Sequence, residues 1–286
     1  MENMSTTADV VLFEKAAALI AQADSLIVAA GAGMGVDSGL PDFRGNDGFW
    51  KAYPALHGAG MDFRDIATPS IFYSQPSLAW GFYGHRLDLY RRTLPHAGFA
   101  SLRRWGEKIQ HGYRVYTSNV DGQFQKAGFD QNRIDECHGS IHHLQCLKPY
   151  SEAIWDAGDF TPDVDADICR LRNPAPKCRH CGGLARPNIL MFNDTGWCDS
   201  RAMMQSGQQN VWLASVARPI IIELGAGSVI PSVRNFSERI VKSHGGRLIR
   251  INPQEPGVTT ALDVGLRMGA TEALRGIADA LGTNWA

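Results

Sequence analysis

The feature that most constrains the fold is a short apolar run that leads directly into glycines. Residues 26–30 are Leu-Ile-Val-Ala-Ala, and Gly31, Gly33 and Gly35 follow at once. An uninterrupted apolar run of this length indicates a strand buried on both faces, as in parallel sheets. Glycines after such a strand allow a tight turn in which the backbone approaches a phosphate. The dinucleotide fingerprint G-x-G-x-x-G is not met, because Val36 stands where its third glycine would be.

The rest of the chain alternates predicted helices with predicted strands. Apolar residues at helical spacing predict the helices, and short apolar runs predict the strands. The helices are predicted over residues 8–23, 102–110, 233–243 and 271–281, and the further strands over residues 113–117, 133–137, 219–224 and 248–252. This alternation is typical of an α/β fold with a doubly wound, Rossmann-like parallel sheet, which binds ligands outside the carboxyl ends of its strands.

Two stretches interrupt the alternation, at about residues 42–91 and 140–186. The second contains several prolines and a close pair of cysteines. We therefore predict a smaller module that combines a helical insert with a cysteine-containing, zinc-ribbon-like insert. The predicted boundaries give a Rossmann-like domain over residues 1–43, 92–139 and 187–286, and the small module over residues 44–91 and 140–186.

The composition limits the kinds of partner and the cellular location that we expect for the protein. The 286 residues include 28 basic and 29 acidic ones, and this balance argues against a broad nucleic-acid surface. The apolar stretches are too short for a membrane span, and the first residues do not resemble a secretory signal. A cytoplasmic location without membrane contact is therefore expected. Six cysteines in that location are more often buried, catalytic or metal-bound than paired in disulfides.

A series of motifs, in order along the chain, resembles the sirtuin family in its bacterial form. Gly31-Ala32-Gly33 and Ser38-Gly39-Leu40-Pro41-Asp42-Phe43-Arg44-Gly45 are similar to the family's G-A-G and S-G-[IL]-P-D-F-R-G. The later matching motifs are Thr117–Asp121, Cys137-His138-Gly139, Cys178–Gly183, Arg186–Phe192, Gly225–Pro231 and Ile251-Asn252. The resemblance spans most of the chain and implies an enzyme that consumes NAD.

The resemblance also implies which residues would bind NAD. Arg44 has a planar charged side chain suited to phosphate, Phe43 would screen the nicotinamide side, and Asp121 would hold the nicotinamide carboxamide. The complete predicted set is Gly31, Ala32, Gly33, Asp42, Phe43, Arg44, Ser118, Asn119, Asp121, Gly225, Ala226, Gly227, Ser228 and Asn252. Two positions depart from the family, since Ser118 replaces a glutamine and Ala226-Gly227 replaces a threonine-serine pair.

His138 is the predicted general base, because histidine exchanges protons near neutral pH. Asn119 is predicted to orient ribose or water. In the family, the amide oxygen of an acylated lysine attacks the nicotinamide ribose, nicotinamide leaves, and free lysine and O-acyl-ADP-ribose are formed. The resemblance therefore implies a deacylase whose partners are acylated lysine side chains of proteins. Two alternatives stay open: an ADP-ribosyltransferase or NAD hydrolase of the same fold, and a non-catalytic NAD sensor.

Further residues are predicted to contact the substrate. An extended peptide is expected to add as a strand beside Ile189, Leu190, Met191 and Phe192. Tyr83 and Arg86 lie three residues apart and would share one face of a helix. One class of the family has tyrosine and arginine at this spacing to receive acidic acyl groups, so succinyl-lysine and malonyl-lysine are candidate substrates beside acetyl-lysine. The alternative is an exposed arginine next to a core tyrosine.

The cysteines predict one structural zinc ion. Cys178 and Cys181 have the spacing of half a tetrahedral site, and the family supplies a second close pair upstream. Here Cys146 has no such neighbour, because residues 147–150 are Leu, Lys, Pro and Tyr. The predicted ligands are therefore Cys146, Cys169, Cys178 and Cys181. Two alternatives stay open: His142 or His143 in place of Cys169, and a hydrogen-bonded turn without metal.

Overall fold

The computed structural model of the protein describes residues 7–42, 45–148 and 152–285. The predicted cofactor residues Phe43 and Arg44 lie outside this part of the chain. The strands are β1 (Ser25–Ala30), β2 (Tyr113–Thr117), β3 (Ile134–Glu136), β4 (Gly139–Cys146), β5 (Ile154–Asp156), β6 (Val164–Asp165), β7 (Arg170–Leu171), β8 (Ala185–Ile189), β9 (Pro219–Leu224), β10 (Arg247–Ile251) and β11 (Val264–Leu266). The α-helices are α1 (Thr7–Gln22), α2 (Gly45–Ala52), α3 (Pro54–Gly58), α4 (Phe63–Ile66), α5 (Ser70–Ser74), α6 (Pro76–Arg92), α7 (Ala97–Lys108), α8 (Gln123–Lys126), α9 (Ser200–Leu213), α10 (Ser232–His244) and α11 (Ala270–Leu281). Short 3₁₀ helices occupy Ala32–Ser38, Gln131–Arg133 and Thr283–Trp285.

Six of the described strands form one parallel sheet in the order β11-β10-β9-β1-β2-β3. Strands β1 and β9 lie in the middle, and every residue of both is buried, as their mostly apolar sequences predict. From β1 the chain continues outward to β2 and β3, and later returns to β9 and continues outward on the other side. The strand order therefore reverses between β1 and β9, and the predicted doubly wound sheet is confirmed.

Helices cover both faces of this sheet. Successive side chains of a strand point to opposite faces, so Leu26 and Val28 pack on one side and Ile27 and Ala29 on the other. The first side is covered by α1, α7 and α11, and the second by α10 and the end of α9. In the described part of the chain, the helices are too short or too polar to cross a membrane. The cytoplasmic location stays a prediction.

The two inserts share a separate hydrophobic cluster. The first insert contributes residues such as Phe82 from α6, and the second contributes residues such as Leu144 and Phe160. The rings of Trp80 and Phe160 meet edge to face across the two inserts, with centroids 5.0 Å apart. Strand β4 pairs with β5 and β8 in a small antiparallel sheet. Strands β4 and β8 each cross a predicted domain boundary. The boundaries themselves stay a prediction.

A buried polar network fixes the loop that follows β8. Arg186 donates two hydrogen bonds to Asp194, at 2.6 and 2.9 Å, and both side chains are almost completely buried. Next to this pair, the side-chain oxygen of Gln145 accepts hydrogen bonds from the Asn188 amide and from the backbone N–H of Cys198. These hydrogen bonds join the loop after β8 to both β4 and β8, and they fix its position relative to the small sheet.

We expect the change Arg186→Met to lower the free energy of unfolding by about 3–5 kcal/mol, because it leaves the Asp194 carboxylate buried without its counter-ion. Urea denaturation followed by circular dichroism measures this loss. The matched control is Arg92→Met, which removes an exposed pair with Asp88 and is expected to cost less than about 1 kcal/mol. A loss at Arg186 no larger than that of the control would contradict the assigned role.

Candidate active site

A cavity of about 670 Å³ opens where β1 and β9 end. The strand order reverses there, which is the place where doubly wound sheets bind ligands. The loops after β1, β2 and β9 line one side of the cavity, and the small module lines the other with α6 and the residues around α4. A volume between about 300 and 1,000 Å³ is usual for small-molecule sites. The site is therefore shared between the parallel sheet and the small module.

The loops after β1 and β9 touch each other through their backbones. A Cβ on Gly31 would stand 2.8 Å from both the Ala226 Cα and the Gly225 oxygen. Gly225 has a φ of 59°, and a Cβ there would collide with the backbone of Gly33. The N–H of Gly33 donates to the Gly225 carbonyl at 3.1 Å. Contact between the two loops leaves room only for glycine at positions 31 and 225. Gly33 lies against Gly225 and is not among the residues that line the cavity.

The loop after β9, residues 225–231, is held by Asn252. The buried Asn252 side chain donates to the Ala226 carbonyl at 2.9 Å and accepts from the backbone N–H groups of Gln254 and Glu255. Asn252 is not a lining residue of the cavity, whereas Gln254 and Glu255 are. The sequence analysis thus found the residue that shapes the loop and missed two residues that line the cavity, because neither belongs to a recognisable motif.

The loop after β2 brings an amide and a carboxylate to the cavity. Asn119 donates through its side-chain N–H to the Gly31 carbonyl at 3.0 Å, which joins this loop to the one after β1. Asp121 is buried at the cavity wall and accepts from the backbone N–H of Gln123 at 2.9 Å. Burial raises the pKa of Asp121 to about 6. At neutral pH the carboxylate is therefore mostly ionised and can accept hydrogen bonds from a ligand.

His138 lies in the connection between β3 and β4 and lines the cavity. Its carbonyl accepts from the Leu190 N–H at 3.0 Å. Gly139 has a φ of 78°, and a Cβ there would collide with the Asn188 carbonyl, so only glycine fits beside His138. The ring Nε2 lies 3.1 Å from the Ser232 Oγ. Burial lowers the pKa of His138, so the imidazole is neutral at pH 7 and able to take up a proton.

Helix α6 brings a buried arginine and two tyrosines to the cavity wall. Arg86 and Tyr83 both line the cavity, and Arg86 is only 7% exposed, so the alternative of an exposed arginine is wrong. Arg86 donates to the Tyr90 hydroxyl through Nε and Nη2, at 3.0 and 2.8 Å. The Tyr83 hydroxyl is buried and has no hydrogen-bond partner among the described residues. Burial raises the pKa of Tyr83 to about 12, so this hydroxyl remains a neutral donor.

The mouth of the cavity combines a strand edge with exposed apolar side chains. Strand β8 is an edge strand of the small sheet, and residues 189–192 continue from it along the cavity. Leu190 is 40% exposed there. Val229 and Ile230, which also line the cavity, are 82% and 46% exposed. The backbone N–H groups of residues 190–192 already have hydrogen-bond partners within the chain, so it is the exposed apolar side chains here that are suited to contact with a peptide.

Three of the four predicted metal ligands come together. The sulfur atoms of Cys146, Cys178 and Cys181 all lie within 4.8 Å of one another, and those of Cys146 and Cys181 are 3.6 Å apart. The turn that carries Cys178 is closed by hydrogen bonds from its N–H to the Gly183 carbonyl and from the Gly182 N–H to its carbonyl. A tetrahedral zinc ion with Zn–S bonds of about 2.3 Å separates its sulfur ligands by about 3.8 Å, so the cluster has the required size.

Cys169 does not join this cluster, which corrects the sequence prediction. It lies in the turn between β6 and β7, and its backbone is packed so closely under α6 that a Cβ on Gly81 would collide with it. Its thiol is buried in the hydrophobic cluster of the small module. The His142 ring is also engaged elsewhere, since its Nε2 lies 2.9 Å from the Asp121 carbonyl. Within the described residues, no fourth His, Cys, Asp or Glu joins the three cysteines.

Most of the predicted site residues line the single cavity described above. They are Gly31, Ala32, Asp42, Tyr83, Arg86, Ser118, Asn119, Asp121, His138, Ile189, Leu190, Met191, Phe192, Gly225, Ala226, Gly227 and Ser228. The sequence analysis missed Tyr90 and the segment 62–64, which also line it. Tyr90 follows Arg86 by one helical turn, so helical spacing could have indicated it. The segment 62–64 had no such indication, because its position depends on how the helical insert packs.

Comparison with known proteins identifies the family. The Sir2 family profile matches residues 31–213. An NAD-dependent protein deacylase of Thermococcus sibiricus is 29% identical over 93% of this chain and 95% of its own, and NAD-dependent protein deacylase 2 of Pyrobaculum aerophilum is 31% identical over 90% of both. A Sir2 homologue solved as an NAD complex superposes with a TM-score of 0.73 at 25% identity, over 96% of this chain and 95% of the other. The chain, as its motifs led us to expect, belongs to the Sir2 family, the sirtuins.

Proposed function

We propose that the protein is an NAD-dependent protein-lysine deacylase. One observation carries the proposal: the neutral His138 imidazole, the Asn119 amide and the Asp121 carboxylate line the same cavity as two glycine loops and residues 189–192. The relatives named NAD-dependent protein deacylases align with at least nine tenths of the chain and support the same conclusion.

The residues of the cavity fit NAD. Where the loops after β1 and β9 meet, the wall is made of main chain and small side chains, which a diphosphate can approach closely. Ala32, Ser118 and Ser228 would lie along the nucleotide, and the Asp121 carboxylate would accept a hydrogen bond from the carboxamide. When bound, NAD supplies the ADP-ribose that receives the acyl group and the nicotinamide that leaves.

The chain's own residues would then carry out the proton transfer. A neutral imidazole has one nitrogen lone pair that can take a proton from a ribose hydroxyl. The backbone of His138 is held at the cavity wall by the Leu190 N–H and by the lack of space at Gly139. Asn119 is fixed by its bond to Gly31 and would orient the ribose.

We expect purified protein, given NAD and a mixture of acetylated and succinylated peptides, to form nicotinamide, free lysine and O-acyl-ADP-ribose, as detected by mass spectrometry. The change His138→Ala is expected to reduce the rate by at least about 100-fold, because general-base catalysis contributes that much. The matched control is His244→Ala, at the exposed end of α10, which is expected to keep the rate.

Release of nicotinamide without any change in the peptides would overturn the deacylase proposal. Free ADP-ribose as the product would then indicate an NAD hydrolase, and labelled protein an ADP-ribosyltransferase. Binding of NAD without turnover would indicate a sensor.

We propose further that the deacylase prefers acyl groups with a terminal carboxylate, such as succinyl and malonyl. The Arg86 guanidinium and the otherwise unpartnered Tyr83 hydroxyl both line the cavity, and a carboxylate can accept hydrogen bonds from both. Arginine binds carboxylates with a planar fork of donors. The Tyr90 hydroxyl accepts hydrogen bonds from Nε and Nη2, which fixes the orientation of the guanidinium before the substrate arrives.

We expect Arg86→Met to lower kcat/KM for a succinyl-lysine peptide by at least about 30-fold, because breaking a buried hydrogen-bonded charge pair costs about 2 kcal/mol or more. The value for an acetyl-lysine peptide of the same sequence is expected to stay within about threefold. Tyr83→Phe is likewise expected to lower kcat/KM for the succinyl peptide more than for the acetyl peptide. Arg91→Met is the control, because Arg91 is on the same helix but donates to the carbonyls of Ala157 and Phe160. Equal losses on the two peptides would refute the acyl preference.

We propose that Cys146, Cys178 and Cys181 hold one structural zinc ion. The spacing of their sulfur atoms fits a tetrahedral thiolate site. Three protein thiolates leave one position of the tetrahedron for a small ligand such as water. When bound, the ion would join β4 to the turn before β8 and so add to the stability of the small module.

We expect one zinc ion per chain in protein purified without chelator, as measured by plasma mass spectrometry. Cys146→Ser, Cys178→Ser and Cys181→Ser are each expected to lose most of this zinc, because each removes one of three thiolate ligands. The control is Cys169→Ser, which is expected to keep it. Zinc that persists in all four variants, or that is lost in all four, would contradict the three-cysteine site.

A further inference from the structure

The His138 ring has a partner that the proposed reaction does not require, the hydroxyl of Ser232. The Ser232 Oγ lies 3.1 Å from His138 Nε2. Among the described residues, this is the ring's one hydrogen-bond partner. Ser232 is the first residue of α10 and belongs to none of the motifs that the sequence analysis singled out.

The position of Ser232 relative to His138 is fixed by packing on the same face of the sheet. Val233 and Phe236, on α10, are buried. The Phe236 ring stacks on Tyr116 of β2, with centroids 3.9 Å apart and an interplanar angle of 2°. The backbone N–H of Cys137, the residue before His138, donates to the Thr117 carbonyl at the end of β2 at 3.0 Å. Helix α10 and the connection that carries His138 are therefore held against the same strand.

The contact matters because a neutral imidazole has two different nitrogens. One carries a hydrogen and donates, and the other has a lone pair and can act as the base. The backbone of His138 is fixed by Leu190 and Gly139, but these contacts do not choose between the nitrogens. A hydroxyl can bond to Nε2 in either form, but only when Nε2 carries the hydrogen does Nδ1 keep the lone pair that a base needs.

We propose that Ser232 is a positioning residue for His138, whose hydroxyl accepts a hydrogen bond from Nε2–H and so leaves Nδ1 as the nitrogen that takes up the proton. The inference rests on the proposed function only for the statement that His138 acts as a base. In the proton transfer, the hydrogen of a substrate hydroxyl passes to Nδ1, and Nε2–H remains bonded to Ser232 throughout.

The same bond would help the histidine to become charged. Once Nδ1 is protonated, the bond from Nε2–H to the Ser232 oxygen is charge-assisted and therefore stronger. Burial opposes the charge by lowering the pKa of His138, and no charged side chain of the described residues adds to that effect. The Ser232 oxygen at Nε2 would thus offset part of the cost of burying the imidazolium.

The first test needs no substrate. Nitrogen-15 NMR of the histidine rings distinguishes protonated from bare nitrogens, and the His138 signals are assigned by their absence in His138→Gln. We expect neutral His138 to carry its hydrogen on Nε2 in the native protein. In Ser232→Ala the pKa of His138 is expected to fall by about one unit, the size of one hydrogen bond to a charged group. Ser232→Thr is expected to restore both properties, and Ser243→Ala, farther along α10, to change neither.

The second test measures turnover on the preferred acyl peptide. Ser232→Ala is expected to reduce kcat by about tenfold with little change in the KM for NAD, and Ser232→Thr to recover most of the rate. A merely structural role would not give this recovery together with the pKa shift.

The outcomes separate this inference from the proposed function. A hydrogen on Nδ1 in the native protein, or a pKa and kcat that do not change in Ser232→Ala, would overturn the role of Ser232. A native protein that deacylates none of the peptides would overturn the proposed function instead, and the NMR experiment would still decide whether Ser232 determines the protonated nitrogen of His138.

Discussion

The site depends on the backbone contact between the loops that follow β1 and β9. The two central strands are paired in parallel to their last residues, Ala30 and Leu224, so both loops leave the sheet at the same level. They can meet only because Gly31 and Gly225 have no side chains. Asn119 from the loop after β2 and Asn252 from the end of β10 then bond to carbonyls of these two loops. The neighbouring loops are therefore positioned relative to this one contact.

The parts of the fold and site that could be predicted from sequence are those that depend on local patterns. The apolar run in β1 and the loop glycines can be recognised in the sequence, because a strand buried on two faces is mostly apolar and glycine is the residue that has no side chain. The parts that escaped prediction depend on contacts between distant segments. Cys169 was grouped with the other cysteines by residue type, but the packing of its turn under Gly81 keeps it away from them. Gln254 and Glu255 reach the cavity only because Asn252 folds the chain after β10 over the loop.

The proposed acyl end of the cavity differs in physical character from the proposed NAD end. The nucleotide wall is mostly main chain and small side chains, whereas the α6 wall contains a guanidinium charge beside the rings of Phe82, Tyr83 and Tyr90. Burying a guanidinium costs free energy that cation–π contacts offset in part. A substrate carboxylate would offset more of this cost, which a neutral acyl group could not do.

The pairing of β4 with β8 connects the cysteine cluster to His138. At one end of this pairing Cys146 lies opposite Ala185, and at the other Gly139, the residue after His138, lies opposite Ile189, with a register shift between Ser140 and Leu144. The two ends of β8 are four residue steps apart, which is about 13 Å at the usual rise. The turn that holds the three cysteines and the connection that carries His138 are therefore anchored on opposite ends of one short strand.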